Sequence, residues 1–116
     1  RMKLGEIATL LNAEVLTGKA RLDEEVVSAC GSDMMSDVLA YVKDQAVLLT
    51  GLVNPQVIRT ALMMDIHCVV FVRNKRPLPE VLPFAEESGI TVMSTALRMY
   101  EACGRLYWNG LGRLED

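Results

Sequence analysis

Two short stretches have the chemistry to hold a small polar ligand. In Gly31-Ser32-Asp33 a hydroxyl and a carboxylate sit together, with Asp37 one helical turn beyond. In LLTGLVNPQVIRTAL, residues Thr50, Gly51 and Asn54 follow an apolar run and precede a helix start. Glycine between a strand and a helix bares backbone N–H groups, and a helix N-terminus carries partial positive charge. Such a turn attracts anions, phosphate above all. A plainer reading exists for each stretch and is the favoured one. Asn54 is a good N-cap and Pro55 a good first helical residue, so the turn can simply start a helix. Ser32 or Asp33 can cap a helix while Asp37 stays in water. A phosphate loop of the GxxxxGK[ST] type needs a second glycine and a lysine; Gly51 stands alone, and no lysine follows before Lys75. The dinucleotide pattern GxGxxG is also missing.

Nucleophilic chemistry has thinner support. His67 is the single histidine, next to Cys68 and two residues after Asp65, and there is no G-x-S-x-G elbow. One histidine, three dispersed cysteines (Cys30, Cys68, Cys103) and no CxxC do not make a zinc site, so no metal is expected. Cys103 lies among Tyr100, Leu106 and Tyr107, an apolar setting that raises a thiol pKa and makes it inert. We therefore expect no catalytic set and no cofactor.

The elements that must position these residues follow from the hydrophobic pattern. Leu4, Ile7, Leu10 and Leu11 share one face of a helix over residues 3–11. AEVLT (13–17) and VVSAC (26–30) read as strands that pair near one another, separated by a polar loop at 19–25. Residues 35–43 form a helix with an apolar stripe of Val38, Leu39 and Val42. AVLLT (46–50), HCVVFV (67–72) and ITVM (90–93) are continuous apolar runs, the mark of strands covered on both faces. The helix opened by Asn54-Pro55 lies between the first two. Another runs to Glu87, starting late because Pro83 belongs in a first turn. Ser94 or Thr95 caps a last helix whose stripe is Leu97, Tyr100, Cys103, Leu106 and Tyr107. Met63-Met64, at a helix end, cannot both point inward. Alternating strands and helices of these lengths predict right-handed crossovers and a mostly parallel sheet. The expected fold is a single three-layer α/β/α domain over residues 3–108, with 109–116 as a tail. Thr50, Gly51 and Asn54 then fall at the carboxyl end of a strand, where open α/β sheets bind ligands.

Bulk properties narrow the partners. A chain of 116 residues suits one domain. Met2 reads as the native start with Arg1 an addition, and no signal peptide or membrane span is expected. The net charge of -3 argues against nucleic acid, which wants a basic face. The cluster Arg73, Lys75, Arg76 is short and reads as a solvated loop. Three separated cysteines fit reduced thiols in the cytoplasm. Hydrophobic content of 51% is high for a small domain, so apolar surface buried between subunits, a homodimer, is expected.

The run SACGSDMMSDVLAYVKDQAVLLTGLVNPQVIRTALMMDIHCVVFVRNKRP, followed by PFAEESGITVMSTALRMYEA, resembles the DRTGG domain, from about Lys3 to Tyr107. The phrases LLTG, AEESGITVMST and GSDMMSD carry much of the likeness. The resemblance implies a regulatory domain that acts through dimerisation and not catalysis. Relatives stand beside CBS pairs in pyrophosphatases, within phosphotransacetylases and as the N-terminal domain of HPr kinase/phosphorylase; some stand-alone versions are encoded near iron hydrogenase subunits. This chain departs from the family's named motif. Its Gly-Asp-Arg falls on Leu52-Val53-Asn54 and its Thr-Gly-Gly near Arg73-Asn74-Lys75, so acid, base and glycines are all missing there. That weakens any carried-over ligand and leaves the scaffold role. MKLGEIATLLNAEVLTG and the Ser32-Asp33 turn also resemble the N-terminal domain of Mur ligases, which implies a uridine nucleotide at that turn. Two functions stay open: a regulatory, dimerising module, and a sensor of nucleotide or another anion bound at Ser32, Asp33, Thr50, Gly51 and Asn54.

Overall fold

A computed structural model describes residues 1–113. In chain order the elements are β1 (Met2–Lys3), α1 (Leu4–Leu10), β2 (Glu14–Val15), β3 (Glu25–Val26), β4 (Ser28–Gly31), α2 (Met35–Tyr41), β5 (Ala46–Thr50), α3 (Gln56–Met63), β6 (Cys68–Phe71), α4 (Val81–Glu87), β7 (Thr91–Ser94) and α5 (Met99–Trp108). The main sheet has the order β2-β7-β6-β5-β4. β4 to β7 are parallel and lie in chain order, while β2 runs antiparallel to β7 at the far edge.

That order dictates the layers. A right-handed crossover between neighbouring parallel strands always leaves its helix on the same side. So α2, α3 and α4 cover one face, packing Val38, Val57, Ile58, Ala61, Val81 and Ala85 onto Leu48, Val69, Phe71 and Val92. The opposite face falls to the two ends of the chain. Leu4, Ile7 and Leu11 from the α1 segment and Ala102 and Leu106 from α5 pack on Val47, Leu49, Cys68, Val70 and Met93. Alternate residues of β5 and β6 feed the two cores, which is why the sequence shows unbroken apolar runs there. The expected three-layer α/β/α domain with a mostly parallel sheet is the fold observed.

Local differences have local causes. The run 25–31 is two strands: Glu25–Val26 pairs with Met2–Lys3, and Ser28–Gly31 pairs with β5, not with the Glu14–Val15 strand. Val27 is the joint, and its N–H bonds Gln45 O at 3.0 Å. Neither Ser94 nor Thr95 caps α5. Ser94 ends β7, while the Thr95 hydroxyl donates to Leu11 O (2.6 Å) and accepts from the Leu97 N–H (3.2 Å), tying β7 to the end of α1. The helix begins four residues after Thr95, at Met99. Pro83 does sit in the first turn of α4, and of the methionine pair Met63 is the exposed member. Of the expected tail, Leu111 is buried in the α1–α5 core, and residues 114–116 lie outside the described residues.

Leu49 is fully buried, so Leu49→Ala should cost about 2–5 kcal/mol in urea unfolding, while exposed Leu62→Ala should change stability by less than about 0.5 kcal/mol. Equal losses at the two sites would contradict the layer assignment. His67, at the foot of β6, holds Glu24 Oε1 at 2.5 Å through Nδ1 and Asp65 Oδ1 at 2.9 Å through Nε2. The bond to Glu24, then that to Asp65, raises the His67 pKa above its usual 6.5, against a smaller opposing effect of burial. A raised folded-state pKa stabilises the fold fully below the unfolded value, and that contribution is lost as pH climbs through the folded value. The side chain is 47% exposed, so solvent screens the effect. The melting temperature of the protein should therefore exceed that of His67→Gln most at pH below about 6.5, with the gap closing at higher pH. A gap independent of pH would remove this role.

Candidate functional site

The carboxyl ends of β4, β5 and β6 bring three loops together. Ser32 follows β4, and its N–H bonds Leu49 O at 3.0 Å, extending the ladder one residue past the strand. Its hydroxyl accepts the Met34 N–H at 3.0 Å, a tight local turn that leaves Asp33 at the tip. Thr50, fully buried, ends β5, and Gly51 follows it. Asp33 reaches across to them. Its Oδ1 accepts the Gly51 N–H at 2.7 Å and the Thr50 hydroxyl at 3.3 Å. Thr50 Oγ1 in turn accepts the Leu52 N–H at 3.1 Å.

Arg73, just past β6, completes the cluster. Its Nη2 lies 3.9 Å from Asp33 Oδ2. The guanidinium lies directly over Gly51: a Cβ added there would sit 2.3 Å from Nη2 and 2.9 Å from Cζ. A side chain at this position would have to push the arginine aside, and the φ of Gly51 is not in the left-handed region. Arg73 and Asn74 take that strained conformation instead, with φ of 59° each, held by bonds from Arg73 N–H to Leu97 O and Asn74 N–H to Thr95 O, both 2.8 Å. The basic cluster read as a solvated loop thus sends one arginine into the site, while Arg76 pairs with Glu14. Asn74 is a residue type that tolerates the left-handed region, but nothing in the type of Arg73 announces that it shares it.

Of the five expected residues, Asp33, Thr50 and Gly51 meet in one place, while the Ser32 hydroxyl is spent on Met34 in its own turn. The fifth, Asn54, is turned to its own helix: its Oδ1 accepts the Gln56 N–H at 2.9 Å and its carbonyl the Val57 N–H at 3.1 Å. It helps start the helix, as its type suggests, but one residue later than expected: Pro55 holds the cap position and Gln56 is the first helical residue.

A second feature lies along the sheet's edge. A groove of about 1090 Å³ runs between β4 and α5, floored by Gly31 and Cys103. Gly31 has room for no side chain, since a Cβ would lie 2.6 Å from Cys103 Sγ. Burial raises the Cys103 and Cys30 pKa values, and pushes that of Cys68 up to about 12. All three thiols are therefore poor nucleophiles at neutral pH. Tyr100 and Tyr107, expected in the inner stripe of α5, face outward instead, and so does Trp108. Tyr100 is 92% exposed, Trp108 82% and Tyr107 61%; only Ala102 and Leu106 of this helix are fully buried. The tyrosines flank the groove, with the open Gly104 between them. At the opposite end of the sheet a smaller hollow of about 420 Å³ is lined by Asp23, Glu24, Glu25, Asp65 and His67.

Comparisons with known proteins agree with this architecture. No curated protein matches the chain. Among solved structures it is similar to the CBS and DRTGG domains of the regulatory region of Clostridium perfringens pyrophosphatase, determined with the activator diadenosine tetraphosphate. The TM-score is 0.73 at 14% identity, over 90% of this chain and 46% of that one, so the chain spans about half the length of that relative and shares its fold. The family model of the DRTGG domain matches residues 6–107, nearly the whole chain, and the protein belongs to the DRTGG domain family.

Proposed function

We propose that this protein is a non-enzymatic regulatory module that works as a homodimer in the cytoplasm, serving a metabolic or hydrogenase-linked partner. The observation that carries the reading is the outward stripe of Tyr100, Tyr107 and Trp108 on α5, beside an apolar groove. Aromatic side chains are the costliest to leave in water and dominate interface energetics. Here three of the chain's six aromatic residues are spent on one exposed helix, and a core position such as Phe71 is the exception. Membership in the DRTGG family supports the regulatory part, as does the regulatory region that shares the fold. The raised thiol pKa values support the non-enzymatic part.

A second reading is favoured by a different observation. A backbone N–H, a buried hydroxyl and a guanidinium converge beside Gly51, the donor set of a small-anion or nucleotide sensor. The solved relative's activator is a nucleotide, which keeps that ligand class in view.

Light scattering on the purified protein should return twice the mass of one chain at micromolar concentration, with at least ~1,000 Å² buried in total. The double substitution Tyr100→Ser and Trp108→Ser should return one chain's mass with the fold intact by circular dichroism. A monomeric parent protein would refute the dimer.

A further inference from the structure

We propose that the anion site at the strand ends is already built and is held shut by the protein's own Asp33 carboxylate, which stands where a phosphate would bind. The inference rests on the anion-sensor reading and deepens it: Asp33 is the plug, not a ligand-binding residue, and Arg73 is the charge that ligand would meet.

The geometry around Asp33 is that of a bound anion. One oxygen takes the Gly51 N–H at 2.7 Å and the Thr50 hydroxyl at 3.3 Å; the other faces the Arg73 guanidinium at 3.9 Å. A backbone N–H, a hydroxyl and an arginine are the groups that hold phosphate oxygens, and arginine prefers their paired geometry. The cradle does not depend on Asp33 for its shape. Thr50 and Gly51 are fixed by the β5–β6 ladder, in which Thr50 pairs with Phe71 and its carbonyl accepts the Val72 N–H at 3.0 Å. The backbone of Arg73 is fixed by its N–H bond to Leu97 O, and its guanidinium lies over Gly51. Removing the carboxylate therefore leaves the donors in place and unpaired.

The ion pair that helps to hold the plug is loose. Asp33 and Arg73 side chains are 50% and 47% exposed, and 3.9 Å is a long contact, so solvent screens the pair. Rotation about the Asp33 side-chain bonds is enough to withdraw the carboxylate, because Ser32 and Met34 hold the backbone of that turn independently. A phosphate from solution must compete with a carboxylate tethered at an effective concentration of millimolar or more, so its apparent affinity falls by the fraction of time the cradle stands open. The site is then deaf to low concentrations of anion and answers when phosphate, free or borne on a larger molecule, outcompetes the tether.

The probe is inorganic phosphate, titrated at constant ionic strength with chloride as control, and the readout is the amide resonance of Gly51. The parent protein should bind weakly. Asp33→Ala should bind at least about tenfold more tightly, and adding Arg73→Gln to it should reverse most of that gain. Asp33→Ser serves if the alanine variant does not fold. Equal binding by the parent protein and Asp33→Ala keeps the sensor reading and overturns the plug. Tight binding that survives Arg73→Gln overturns the cradle drawn here. A Gly51 resonance unmoved by phosphate in every variant overturns both the plug and the sensor.

Discussion

Four parallel strands laid side by side in chain order can be covered by their own crossovers on one face only. The constraint is chirality, and the rest of this molecule is arranged around it. α2, α3 and α4 are used up on that face. The other face, with Val47, Leu49, Cys68, Val70 and Met93, would stand in water unless something else covered it. α1 comes from before the first parallel strand and α5 from after the last, and the two meet there, joined by Arg105 Nη1 donating to Leu10 O at 3.0 Å. Burying side chains of this size contributes roughly 1.5–3 kcal/mol each, so the covering is not optional.

The same arrangement explains what sits at the strand ends. Loops that leave β4, β5 and β6 must all set out from one edge, which puts Asp33, Gly51 and Arg73 within reach of one another. Leu52-Val53-Asn54 carries neither an acid nor a base, yet an acid and a base stand beside that loop, each contributed by a neighbouring one. Position in the fold, and not position in a motif, decides which charges meet.

How much of this could be read from the residues depends on what kind of signal each part carries. β5, β6 and β7 were legible because burial on both faces forces an unbroken apolar run. The start of α3 was legible because Asn54-Pro55 is a local device, complete within three residues. The split at Val27 was not, since VVSAC offers no break where one strand hands over to another. The outward turn of Tyr100 and Tyr107 was missed for a different reason. Periodicity finds a helix, but α5 carries apolar side chains on two faces, and the pattern does not say which pair, Ala102 and Leu106 or the tyrosines, meets the sheet. Among the candidate ligand residues, the Ser32-Asp33 turn and Thr50-Gly51 could be named from their types. Arg73 could not, because its place depends on two successive residues with positive φ and on the bare face of Gly51 some twenty residues earlier.

The meeting of α1 and α5 has one more consequence. The first and last helices of the domain are neighbours on a single face, so the chain comes in and goes out on the same side of the sheet. A longer polypeptide could be opened at one surface loop and this unit spliced in without pulling the host's two halves apart, and without any strand having to be rethreaded. Arg105 and Leu10, where the two helices touch, tie the beginning and the end of the described chain to one face.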